Sequence, residues 1–140
     1  MAYAVAQDII DKYGETELII AADHNGTGVA DPEVVTRGID DAGDEIDTYI
    51  GTAYSLPLAN VPPILKPLCI DIALYKMSTG TAITDEKRRR YEDAIKILDK
   101  IAKGIIKLGL PTGEEPPAKG GGASFVANER QFSREKLEGY

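Results

Sequence analysis

Asp23, Asn25, Thr27, Gly28 and Asp31 occupy positions one, three, five, six and nine of a stretch that resembles the opening of a calcium loop, with oxygen donors at alternate residues and a glycine for the sharp turn. The match fails at position twelve, where Val34 replaces the bidentate glutamate, and Thr27 stands where an acid is usual. Turn chemistry accounts for the same residues without a cation, so no metal ligand is assigned. His24 is the single histidine. A site built on its imidazole would have to recruit carboxylates alone, and in such a turn it is expected to be solvated. Cys69, the single cysteine, cannot form an intramolecular disulfide and lies in the apolar run 64–77, where a free thiol packs as a small hydrophobe. No nucleophile–base pair can be assembled from these two residues, so the expectation is a protein that is not an enzyme, with no catalytic residues and no cofactor. The triple glycine at 120–122 lacks both a strand–turn–helix frame and the P-loop lysine, and reads as linker.

Two charged runs remain. Asp40, Asp41, Asp44, Glu45 and Asp47 could be paired carboxylates for hydrolysis, but no spacing among them implies a cleft, and they read as the solvated face of a helix. Lys87, Arg88, Arg89 and Arg90 fall at the N-terminal end of their helix, where positive charge is unfavourable to the macrodipole. That placement suggests an external partner and sets Asp40 and Asp44 of one subunit against Arg88 and Arg89 of another. Intrahelical pairs of Arg88 with Glu92 and Arg89 with Asp93 are the competing reading.

The elements that carry these residues follow from apolar spacing. Helices are expected near 5–13, 32–54, 66–77 and 85–103, with Gly14 as a left-handed C-cap of the first and a short apolar turn at 17–22. Asp31 followed by Pro32 marks the start of the second, with an apolar stripe at Val35, Ile39, Ala42, Ile46, Tyr49 and Ala53. Its glycines suit close approach of another helix. The run 64–77 is apolar on nearly every side, as in a helix surrounded by others, with Pro67 placed in its first turn. Thr84 caps the last long helix, whose buried stripe includes Tyr91, Ala94, Leu98 and Ile101 and which stops at Gly104. Residues 105–110 are expected to be a short extended piece.

The fold class is therefore mostly α, a multi-helix bundle with an extended C-terminal arm. Residues 1–110 form the helical body, 111–123 a linker rich in Gly and Pro, and 124–140 a docking arm. Phe125, Phe132, Leu137 and Tyr140 are its expected partner-binding residues. The chain has 140 residues, enough for one core, and a formal charge of −7, which opposes binding to a nucleic-acid backbone. No window approaches the roughly 18 apolar residues of a membrane span, and the N-terminus lacks a basic leader, so a soluble protein of a reducing cytoplasm is expected.

The order of motifs is itself a pattern. Met1-Ala2-Tyr3-Ala4 opens the chain; Asp23 to Asp31 follows, then Glu45-Ile46-Asp47 with Tyr49-Ile50, and Tyr54 with Leu56-Pro57-Leu58 and Val61-Pro62-Pro63. Cys69-Ile70-Asp71, Arg90-Tyr91-Glu92-Asp93, Ile101-Ala102-Lys103-Gly104 and Phe132-Ser133-Arg134 through Gly139-Tyr140 complete it. In this order they resemble the Mu-like phage and prophage head-tail region protein family over nearly the whole chain. That family is similar to the helical connector proteins that form a ring between portal and tail in tailed phages. The resemblance implies a neck or adaptor subunit in a twelve-fold ring, located in the virion neck and in host cytoplasm before assembly. Its partners would be copies of itself, the portal, and a tail-side neck or terminator protein, with DNA passing through the ring without sequence readout and no membrane involved. No catalytic residues come with it, and the turn at 23–31 departs from the more acidic version associated with the family. The alternative is a monomeric or dimeric helical module that docks one partner through its C-terminal peptide.

Overall fold

The structure, a computed structural model, describes residues 1–110, which fold into five α-helices and one short 3-10 turn with no strand among them. The expected linker at 111–123 and arm at 124–140 lie outside the described residues.

Two short helices come first. Helix α1 (Ala6–Tyr13) has its entry fixed by Asp8, whose carboxylate accepts the Val5 N–H at 2.9 Å. Gly14 then takes φ 94° and ψ 156°, a region open to glycine and scarcely to any other residue. It is not the left-handed cap expected: with ψ extended, the chain reverses at one residue and α2 (Glu15–Ala22) starts at once. The apolar turn expected at 17–22 is thus a complete two-turn helix.

Helix α3 (Pro32–Ile50) begins as its sequence dictates, with the Asp31 carboxylate accepting the Glu33 N–H at 2.9 Å and proline in the first turn. Val35, Ile39, Ala42, Ile46 and Ile50 form its buried stripe. It ends four residues earlier than expected. Ala53 and Tyr54 continue as hydrogen-bonded turn, and Tyr54 still reaches the core, where its hydroxyl accepts the Leu108 N–H at 3.2 Å. Two glycines act by the space they leave. A Cβ on Gly38 would lie 3.0 Å from the Met77 methyl, so this is the close helix approach expected. A Cβ on Gly43 would lie 1.8 Å from the Met1 carbonyl oxygen. Gly43 thus admits not a helix but residues 1–4, which bring Tyr3 and Ala4 into the core.

Helix α4 (Leu65–Met77) is the centre of the body, packed by α2, α3 and α5, with Leu65, Leu68, Cys69, Ile72 and Leu74 among its buried residues. Its all-round apolar sequence fits that position, and burial of each large aliphatic side chain contributes about 1.5–3 kcal/mol. Pro67 lies in the first turn, where its missing N–H would have had no intrahelical acceptor and no hydrogen bond is lost. The 3-10 turn at Gly80–Ala82 leads to α5 (Asp85–Ala102), capped by the Thr84 hydroxyl, which accepts the Lys87 N–H at 3.1 Å. The piece expected to be extended at 105–110 instead begins folded back, with the Ile105 and Ile106 N–H groups donating to the Lys100 carbonyl at 2.9 and 3.2 Å to close the helix end over Gly104, and residues 107–110 join no strand.

Candidate functional site

The residues that looked chemical are used by the fold. Asp23 Oδ1 accepts from the Thr27 N–H at 2.8 Å and from its hydroxyl at 3.1 Å, and Oδ2 accepts the Gly28 N–H at 2.7 Å. These bonds, Thr27 first, hold the Asp23 carboxyl below the usual carboxylate range. Asp31, the ninth position of the loop pattern, caps α3. Both carboxylates therefore serve backbone N–H groups, and among the described residues no three His, Cys, Asp or Glu side chains gather to hold a metal.

His24 is exposed in its turn, as expected, yet its ring also ties the loop to the body. The loop at 23–31 lays its ring over the end of α4, and Nε2 donates to the Met77 carbonyl at 2.7 Å, with the Ala21 carbonyl at 3.1 Å. The imidazole secures α2 and its loop to the last carbonyls of α4. Cys69 is fully buried, and burial pushes its thiol up to about 11, so it packs as the sequence suggested and is no thiolate nucleophile.

The basic run divides. The Lys87 side chain is 2% exposed, and its Nζ lies 3.1 Å from Ser78 Oγ and 3.2 Å from Glu17 Oε1, joining α5 to α2 and to the end of α4. Arg90 pairs with Glu86 and covers the Tyr13 ring at 4.3 Å. Arg88 and Arg89 are left outside. Arg88 turns back to Asp85 at 3.4 Å rather than forward to Glu92, and Arg89 makes no ion pair among the described residues.

The acidic run divides in the same way. Asp40, Asp41 and Asp44 are exposed, whereas Glu45 and Asp47 are half-buried and structural. Glu45 Oε1 accepts from the Tyr91 hydroxyl at 2.7 Å, and Oε2 faces Lys76 Nζ at 2.9 Å as an ion pair with no aligned hydrogen bond. Asp47 accepts from the Tyr3 hydroxyl and pairs with the Met1 ammonium at 3.0 Å. A third such contact runs from the Tyr13 hydroxyl to Asp71, with Lys12 Nζ 3.5 Å away. Burial, and then the adjacent carboxylate, pushes each of these three phenols well above its ordinary range.

On the surface, Asp40, Asp41 and Asp44 stay exposed on α3, Arg88 and Arg89 stay exposed at the start of α5 beside the exposed Asp85 and Glu86, and an apolar groove lies between the first helices and α3. The groove has two adjoining parts of about 330 and 240 Å³, both lined by Ala6, Val35 and Thr36. Sequence reading missed it, because it forms between α1, α2 and α3 and no single stripe announces it.

Comparison with known proteins gives these surfaces a context. The family profile described as "Bacteriophage Mu, Gp36" matches residues 3–127, a span that takes in all five helices. The Mu-like prophage FluMu protein gp36 of Haemophilus influenzae is 36% identical over 110 residues, covering 79% of this chain and 77% of its own length. Gene product J of Escherichia phage Mu is 25% identical over 141 residues, covering 100% and 99% of the two chains. On a match of that extent the chain belongs to the bacteriophage Mu Gp36 family, whose relatives here come from phage Mu and a Mu-like prophage.

Proposed function

We propose that the chain is a structural subunit of the neck of a tailed-phage or prophage-derived particle, a head-tail connector or adaptor ring protein that joins portal to tail. The observation that carries this reading is the pair of exposed patches of opposite sign on different helices of one body, Asp40, Asp41 and Asp44 on α3 and Arg88 and Arg89 on α5. Two unlike, complementary patches favour head-to-tail contact, which closes into a ring when the rotation permits. A twelve-fold ring would match the symmetry of portals. Membership in a phage Mu family supports the setting, and the commitment of His24, Cys69, Asp23, Glu45 and Asp47 to the fold supports a role in assembly rather than catalysis. In this reading residues 124–140 reach a neighbouring component.

The test is the native mass of the purified protein, alone and mixed with the portal ring of the same phage. The expected result is a closed oligomer bound to the portal. A species that stays monomeric or dimeric with the portal present, and binds one partner through its C-terminal peptide, would replace the connector with a binding module.

A further inference from the structure

The apolar groove is an exposed seat between the first helices and α3. Its larger part is lined by Ile10 of α1, Leu18 and Ile19 of α2, and Val29, Ala30 and Val35, and its smaller part runs on past Val5 and Ile39. Val5 and Val29 at its edge are 59% and 63% exposed, so the apolar walls are open to solvent. Acidic groups border it, Glu15 on one side and Asp40 on the other.

The sequence contains a segment with the complementary pattern. Around Phe132, residues 128–136 read Asn, Glu, Arg, Gln, Phe, Ser, Arg, Glu, Lys. In an extended chain, side chains two apart share a face. Arg130, Phe132, Arg134 and Lys136 then fall on one face and Glu129 and Glu135 on the other. One face thus presents a large aromatic side chain between cations, and the groove presents apolar walls between anions. The 13 residues from 111 to 123 span up to roughly 45 Å, more than three times the radius of gyration of about 13 Å expected for a body of this length. The segment can therefore leave one body and reach the groove of the next.

We infer that the groove formed by α1, α2 and the start of α3 is the docking site for residues 128–136 of a second copy of this chain, with Phe132 filling the apolar part and Arg130 and Arg134 facing Glu15 and Asp40. The inference rests on the reading of the chain as a self-assembling subunit, and it adds the place where one subunit holds the next. The segment lies in the groove by side-chain burial, since the described body offers no strand for a peptide to extend.

Cross-linking in the full-length chain tests it, with the parent, whose Cys69 is fully buried, treated in parallel as the control for maleimide reactivity. One preparation carries Val29→Cys, another carries Ser133→Cys, and the two are mixed and treated with a short bis-maleimide while native mass reports the oligomers present. The expected product is a dimer containing one chain of each kind, and adding Phe132→Ala to the second chain lowers its yield at least about tenfold, as for loss of a central aromatic anchor. Adding Asp40→Lys to the first chain lowers the yield as well. Absence of that dimer from a solution that contains rings or portal-bound protein overturns this inference and leaves the connector reading in place. A cross-link that forms only within a chain carrying both cysteines overturns it too, since the occupant would be the chain's own segment. Cross-linked dimers in a protein that never joins the portal would contradict the connector reading alone.

Discussion

Lys87 shows how a single residue changes meaning between sequence and structure. Within the run 87–90 it looks like one of four surface cations, yet its ammonium is enclosed by Glu17 and Ser78. A cue was present: Lys87 precedes Tyr91, Ala94, Leu98 and Ile101 in the same helical register, so the buried stripe extends one turn further back than its apolar members. What the sequence could not supply was the acceptor, because Glu17 comes from a helix 70 positions earlier in the chain. The buried partner decides the energetics. Removing Glu17 strands an ammonium inside with one hydroxyl, whereas removing Lys87 leaves a carboxylate that is one third exposed and can rehydrate. Glu17→Ala is therefore expected to cost about 2–3 kcal/mol, less than the roughly 3–5 kcal/mol of a fully buried pair, and Lys87→Met less than about 1 kcal/mol. Urea denaturation measures both, and a larger loss for Lys87→Met would contradict the account. The exposed residues, Asp40, Asp44, Arg88 and Arg89, were legible as surface charge, since nothing in their register places them on an apolar stripe.

Between elements, the recurring device is a phenol donating to a carboxylate on another segment: Tyr3 to Asp47, Tyr13 to Asp71 and Tyr91 to Glu45. These contacts fasten residues 1–4 and α5 to α3, and α1 to α4. None was visible beforehand, because each joins residues at least 44 positions apart. The helices themselves were visible, because Asp31, Pro32, Thr84 and the i, i+4 stripes are local. The errors lay where local cues conflict: at Gly14, whose ψ decides between a cap and an immediate reversal, and at 51–54, where a glycine ends α3 while Tyr54 keeps its place in the core. The phenol contacts carry a pH dependence. Each phenol has its folded pKa raised above the unfolded value near 10, so its contribution is complete below about pH 10 and is lost as pH rises through the folded pKa. Cys69, raised to about 11, acts in the same window. Melting temperature is expected to hold up to about pH 8, to decline slightly above it as the Met1 ammonium, whose pKa Asp47 raises, loses its advantage over the unfolded chain, and to fall steeply above about pH 10. Phenolate absorbance of Tyr3, Tyr13 and Tyr91 should lag until the body opens. Complete, fast titration of these three in the folded protein would show that these contacts do not restrain ionisation.

For the whole molecule, the described residues form one helical body in which Lys87, Glu45 and Asp47 are tied into the packing while Asp40, Asp41 and Asp44 on α3 and Arg88 and Arg89 on α5 stay exposed. The docking arm expected from the apolar residues beyond 110 lies outside the described residues, and the groove proposed as its seat is one that only the packed helices could reveal. The central claim is that the α3 patch of one copy meets the α5 patch of the next. A charge exchange tests it most directly, with Asp40 left unchanged because it also borders the groove. One variant carries Arg88→Glu and Arg89→Glu, the other Asp41→Lys and Asp44→Lys, and native mass is measured for each alone and for their equimolar mixture under conditions where the parent forms its ring. The expected outcome is failure of either variant to assemble alone, with little change in melting temperature because exposed charges contribute little to folding, and recovery of the parent oligomer on mixing, where each α3–α5 contact again joins surfaces of opposite net charge. Assembly of each variant alone as well as the parent, or no recovery in the mixture, would contradict the account.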